Sequence, residues 1–198
     1  MKRRTGRFER NTKETRVRVN INLDGSGIIK VKTTIPFFDH MLTALAKHAG
    51  FDLDLQARGD TQVDDHHTVE DVGLVLGTAV KQALGDKRGI QRFGSAVIPM
   101  DETRVNAALD ISDRPYLGFN LFFIPRMIKK FDLELLEEFF KAFTTEARMT
   151  LHVWTDLSNK QNSHHVAEAA FKATARALKQ AVTLDRSVKG VPSTKGKL

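Results

Sequence analysis

One short stretch is written twice in this chain. His66-His67-Thr68-Val69-Glu70 returns as His164-His165-Val166-Ala167-Glu168, 98 residues later. The echo continues without a gap, HHTVEDVGLVLGTAVKQAL (66–84) lying over HHVAEAAFKATARALKQAV (164–182). On a helix, positions i and i+4 share a face and i+1 sits about 100° round. Each copy therefore sets two imidazoles and a carboxylate on one helix end. Two such ends facing each other would hold a pair of divalent metals. A repeat of this length also favours two similar halves packed together.

Composition narrows the chemistry. The 198 residues contain no cysteine, which excludes disulfides and thiolate metal sites. At 41% hydrophobic residues a sizeable core can be buried. Lys2-Arg3-Arg4 follow Met1, but no apolar run comes after them, so no secretory signal is expected and the cytoplasm is the expected compartment. No stretch reaches the ~18 apolar residues of a membrane span. The net charge of +7 calls for an anionic partner. The basic residues are scattered, and Tyr116 and Trp154 are single residues, so a small phosphorylated ligand or plain solubility fits better than nucleic acid.

The hydrophobic pattern predicts an α+β protein. Residues 1–13 are polar and basic and read as an arm. Val17, Val19, Ile21 and Leu23 alternate with polar residues as a half-buried strand, Asp24-Gly25 supplies a hairpin turn, and Ile28 to Thr34 returns as a second strand. Pro36 opens a helix that Gly50 stops, and Phe51, Leu53 and Leu55 form a third strand. Asp64 or Asp65 is expected to cap the His66 helix. The second half repeats the order, with Glu102-Thr103-Arg104-Val105 echoing Glu14-Thr15-Arg16-Val17 and Asn162 or Ser163 capping the His164 helix. A strand near 96–100 is assigned to the junction. The expected units are a first repeat over 14–92, a second over 93–185 and a tail over 186–198.

Carried back one helix, the offset of 98 places His40 on Glu138. With His66, His67, Glu70, His164, His165 and Glu168 these make eight ligands, four per metal if shared equally. Imidazole and carboxylate together suit Mn, Fe, Zn, Ni or Co. Helix N-termini repel cations, so an anionic ligand is expected to complete such a site.

FFDHML (37–42), DDHHTVED (64–71), GIQRFGSAVIPMDET (89–103), SDRPYL (112–117), SHHVAEAAFKA (163–173) and GVPSTKG (190–196) resemble the imidazoleglycerol-phosphate dehydratase family of histidine biosynthesis, over nearly the whole chain. The resemblance implies two Mn²⁺ ions, two four-stranded halves each with two helices on one face, and a 24-mer built from trimers with sites between subunits. Many members have a histidine where this chain has Glu138. The implied reaction dehydrates D-erythro-imidazole glycerol phosphate to imidazole acetol phosphate. Two metals beside the imidazole nitrogens would stabilise an imidazolate, which expels hydroxide to give a diazafulvene-like intermediate. Glu168, Glu14 and Asp101 are candidates for proton handling. The resemblance gives Arg92, Arg114, Lys172, Ser193 and Lys195 to the substrate phosphate, His48 to a substrate contact, and the tail to closure over the site. Lys172 has independent support, since eight residues after His164 it lies two turns along and roughly 80° round. His152 reads as structural. A dimetal hydrolase is the alternative enzyme, and a metal-storage or nucleic-acid module the alternative outside catalysis.

Overall fold

The computed structural model describes residues 3–156 and 161–198. Two four-stranded sheets enclose a layer of four helices. The first half contains β1 (Thr5–Asn11), β2 (Thr15–Asn22), β3 (Ile29–Lys32), α1 (Pro36–Ala49), β4 (Asp52–Gly59) and α2 (His66–Leu84). The second contains β5 (Phe93–Met100), β6 (Thr103–Asp110), β7 (Tyr116–Asn120), a small hairpin of β8 (Met127–Ile128) and β9 (Phe131–Asp132), α3 (Leu135–Ala147), β10 (Thr150–Trp154) and α4 (Ser163–Val182). The strand orders are β1-β2-β4-β3 and β5-β6-β10-β7, so the two halves share one topology. In each, the last pair named is parallel and the others antiparallel. This is the α+β duplication that the repeat and the hydrophobic pattern predict.

The helices interlock the halves. α2 packs on β1 and β2, and α4 on β5 and β6, while α1 lies against α4 and α2 against α3. One continuous core results, running from Val17, Val19 and Leu55 through Phe38, Phe139 and Phe143 to Phe171 and Leu151. Strands β2 and β6 alternate buried and accessible residues in the same pattern, which aims one face of each sheet at the helices. Gly50 ends α1 in the left-handed region at φ 72°, and Arg148 ends α3 there at φ 57°. Each cap returns backbone N–H groups to the last carbonyls of its helix.

Three expectations are corrected. Asp24-Gly25 makes no hairpin: β4 lies between β2 and β3, and β3 pairs with β4 in parallel. Met1 and Lys2 of the predicted arm lie outside the described residues, but Thr5–Asn11 is no arm: it is β1, paired antiparallel along its length with β2. The segment assigned to the junction is β5, the equivalent edge strand of the second sheet. Gly6 and Gly94 show the equivalence. A Cβ on either would fall 1.9 Å from a helix carbonyl, that of Ala79 or of Ala177.

The register of the repeat is not uniform. Thr15 corresponds to Thr103, an offset of 88, whereas His66 corresponds to His164, an offset of 98. The ten added residues lie between β7 and α3, where β8 and β9 stand and where Ile124-Pro125 is cis.

Candidate metal and active site

The start of α4 is built to present its histidines. The Asn162 side chain accepts the His164 N–H at 2.9 Å as an N-cap. One turn on, Glu168 Oε2 lies 3.2 Å from His164 Nε2, and His40 on α1 brings its Nε2 to 3.1 Å from the same oxygen. Phe37, three residues before His40, packs edge-on against the His164 ring at 5.3 Å and fixes its plane. Lys172, a turn beyond Glu168, holds Oε1 at 2.7 Å. Glu168 is only 9% exposed. Burial pushes its carboxyl up, but the hydrogen bonds from Lys172 and His40 outweigh it and leave the pKa at about 2. Two imidazole nitrogens and one carboxylate oxygen thus lie mutually within 4.8 Å.

His165 turns away from its neighbour, the two rings lying at 81°. Its Nδ1 is 3.0 Å from Glu102 Oε2, and its Nε2 is 4.0 Å from Asp101 Oδ2. Glu102 also accepts the Asn162 N–H at 2.7 Å. That backbone bond, its own N–H and His165 hold its carboxyl at about 2. One carboxylate therefore fixes both the approach to α4 and the second histidine.

The first half makes a looser version. The Asp64 side chain accepts the His66 N–H at 2.7 Å, and His66 Nε2 is 3.9 Å from Glu70 Oε2. His67 Nδ1 lies 3.2 Å from both oxygens of Asp60 and 4.0 Å from Glu14. The Asp60 contact raises the His67 pKa against the effect of burial. Glu138 lies 3.7 Å from Lys141, and among the described residues it joins no group of donors within 4.8 Å. Nor does any such group combine the two HHxxE motifs. Each HHxxE helix packs its flank on a helix of the other half, α2 on α3 and α4 on α1.

The residues expected at the phosphate fall in two places. Arg92 Nε is 2.7 Å from Asp110 and its Nη1 donates to the Pro192 carbonyl at 2.9 Å, so the tail is held against β5. Arg114 lies 3.5 Å from Asp110. The Ser193 hydroxyl accepts the Lys195 N–H at 3.2 Å in the same tail. Lys172 is engaged with Glu168 instead. His48, half-buried on α1, has its pKa lowered by burial, with the charges of Lys172 and Arg176 adding to the effect. A cavity of about 440 Å³ opens beside His164, lined by Glu102, Asn162 and Ser163 and by Ile124, Pro125 and Ile128 near the hairpin.

Glu102 and Asp60 are site residues that the sequence reading did not single out. For Glu102 a signal existed: Glu102-Thr103 echoes Glu14-Thr15, and both glutamates end beside the second histidine of their motif. Asp60 lies in a turn with no pattern to mark it.

Residues 33–178 match the family model described as imidazoleglycerol-phosphate dehydratase, a span containing all eight expected ligands. A relative of that name from Gluconobacter oxydans is 54% identical over 196 residues, covering 98% of each chain. One from Pelobacter propionicus is 51% identical over 195 residues, covering 98% of this chain and 99% of its own. Among solved structures, imidazoleglycerol-phosphate dehydratase from Staphylococcus aureus is 39% identical with a TM-score of 0.81, covering 91% of this chain and 99% of its own. The enzyme from Pyrococcus furiosus, solved in complex with (S)-C348, is 36% identical with a TM-score of 0.82, covering 96% of this chain and 100% of its own. Shared sequence over the full length and a shared fold agree: the chain belongs to the imidazoleglycerol-phosphate dehydratase family of hydro-lyases.

Proposed function

We propose that the protein dehydrates D-erythro-imidazole glycerol phosphate to imidazole acetol phosphate in histidine biosynthesis, in the cytoplasm, with two Mn²⁺ ions per site. The observation that carries this reading is the convergence of His40, His164 and Glu168, from α1 and α4, in a chain of this family. The donor set fits such an ion. Neutral imidazole nitrogens and an ionised carboxylate suit Mn²⁺, and a glutamate held near pKa 2 stays anionic at any working pH. His40, His164 and Glu168 would hold one ion, and His66, His67, Glu70, Glu138 and His165 are the remaining ligands. When bound, the two ions would supply electrostatic stabilisation of negative charge developing on the substrate's imidazole.

The chain's own groups do the rest. Lys172 keeps Glu168 ionised and oriented through Oε1, leaving Oε2 toward the two histidines. Glu14 is 57% exposed at its side chain and stands 4.0 Å from His67, where it can take or return a proton at the substrate carbon. Asp101, beside His165, is the other carboxylate for this task. Arg92 and Arg114 share Asp110 and offer guanidinium donors for the phosphate, with Ser193 and Lys195 brought near by the Pro192 contact.

Copies of the chain would complete the site, as a 24-mer of trimers. α1 and α4 carry Lys47, Lys172, Arg176 and Lys179 against Asp39 and Glu168, whereas α2 and α3 carry Lys81 and Lys141 against Glu70, Asp71, Glu137, Glu138 and Glu146. The opposite charge of two equivalent helix pairs supports contact between one copy's α1–α4 and another's α2–α3, which would bring a second HHxxE to the first.

The test is turnover. Mn²⁺-loaded protein mixed with imidazole glycerol phosphate should yield imidazole acetol phosphate without releasing phosphate. Free phosphate without the ketone would replace this reading with a dimetal hydrolase.

A further inference from the structure

The outer face of the first sheet inverts a charge relative to the equivalent position of the second. In the second half, Arg104 on β6 is ion-paired at 2.7 Å with Asp156, just beyond β10. The equivalent residues of the first half are Arg16 and Arg58. They are direct cross-strand partners in the β2–β4 register, so two guanidinium groups occupy the place of an ion pair. Like charges placed directly opposite on a sheet are destabilising. Lys13 adds a third cation where the second half has Asp101. Among the described residues no carboxylate is paired with any of the three, and all three are exposed.

These cations line one hollow. A cavity of about 440 Å³ is bounded by Lys13, Arg16 and Arg58 together with Glu14, Asp60 and Gln62. Its two carboxylates face a different partner, since Asp60 puts both oxygens 3.2 Å from His67 Nδ1 and Glu14 lies 4.0 Å from the same atom. The volume lies in the range of small-metabolite sites. Planar guanidinium forks match the oxygens of phosphate, and a dianion answers three clustered cations better than a single carboxylate would.

We propose that Lys13, Arg16 and Arg58 form an anion site for a phosphate group, distinct from the Arg92–Arg114 region, at the edge of the Glu14–Asp60–His67 cluster. Free phosphate and a small phosphate monoester share the chemistry that this site recognises. Occupied, the site relieves the Arg16–Arg58 repulsion, so its ligand stabilises the folded chain as well as binding to it.

The second half supplies the test variant. Arg58→Asp recreates the Arg104–Asp156 pairing on the same backbone, and Arg58→Gln removes the charge without adding one. Inorganic phosphate, and in a second arm glycerol phosphate, is titrated calorimetrically into the full-length assembled protein at low salt. Arg58→Asp should bind one phosphate fewer per chain than the parent. Arg58→Gln should weaken that class of site at least tenfold, and Arg58→Lys should retain most of it. Arg92→Ala should keep the site, which separates it from the phosphate contact in the proposed function. Glycerol phosphate showing the same loss would identify an ester as acceptable, and inorganic phosphate alone showing it would identify the free ion. Should Arg58→Asp fail to fold, Arg58→Gln alone decides. Unchanged stoichiometry and affinity in Arg58→Gln, or loss of the site in Arg92→Ala instead, would overturn the proposal.

Discussion

The residue whose role is most exposed to test is Glu138. Its partner in the repeat, His40, reaches Glu168, whereas Glu138 itself lies by Lys141. If a second copy completes the site, Glu138 becomes a ligand there. Glu138→Ala should then lower the Mn²⁺ bound per chain, read by metal analysis after gel filtration, and reduce turnover. Full occupancy with full activity would remove it from the ligand set. A second prediction concerns Asp113, next to Arg114. The Lys87 ammonium, almost wholly buried, lies 2.9 Å from Asp113 and holds its carboxyl below the ordinary range against the effect of burial. A depressed folded-state pKa contributes stability that is present above the unfolded value of about 3.9 and is lost as pH falls through the folded one. Lys87→Met should therefore destabilise the chain more at pH 7 than at pH 3 in urea unfolding. An equal loss at both would show that the ion pair carries none of it. The sequence revealed the HHxxE groups because helical spacing alone puts i and i+4 together. It did not single out Glu102, which reaches His165 from a strand end 63 residues earlier, a proximity that only the fold creates.

At the scale of elements, the helices and the inner strands were legible because their periodicity is set by one buried face. β2 and β6 bury every second residue, and α1, α2, α3 and α4 each carry a continuous apolar stripe. Of the edge strands, β3 was legible, but β1 and the place of β5 in its sheet were not. In TGRFERN the inward positions are Gly6, a half-buried Phe8 and Arg10, so no apolar alternation is left to read. Arg10 faces the helices because its Nε donates to Asp71 at 2.9 Å, and Gly6 is there because α2 passes too close for a side chain. β5 likewise has a glycine on its inward face, Gly94, and its strand was assigned to the junction and not to the sheet. That glycine gives a prediction: Gly94→Ala forces a methyl against the Ala177 carbonyl and must displace α4 or β5. Overpacking of this kind costs about 1–3 kcal/mol. Because α4 carries His164, His165 and Glu168, thermal unfolding should shift down and Mn²⁺ affinity should fall together. A loss of stability with unchanged metal affinity would mean that the strand, not the helix, moves.

For the whole molecule, the question is whether one chain can make the site alone. Each chain contains two motifs of the same kind, yet the described donors gather as His40–His164–Glu168 and as Asp101–Glu102–His165, without a ligand from the first HHxxE. The sequence repeat announces two equivalent grips but not which chain each would close on, because that depends on how folded surfaces meet and not on helical spacing. If the ions are held by donors from two copies, metal and assembly are thermodynamically linked, and removing one weakens the other. Dialysis against a chelator should then convert the large assembly to smaller species, with Mn²⁺ restoring it, in sedimentation velocity at fixed protein concentration. The opposite charges of the α1–α4 and α2–α3 pairs add a salt term: at high ionic strength, where the Debye length falls to about 3 Å at 1 M, the same dissociation should need less chelator. An assembly that keeps its size with all metal removed, at low and high salt alike, would place every ligand of each ion within one chain. Glu138 and the first HHxxE would then lose their proposed role.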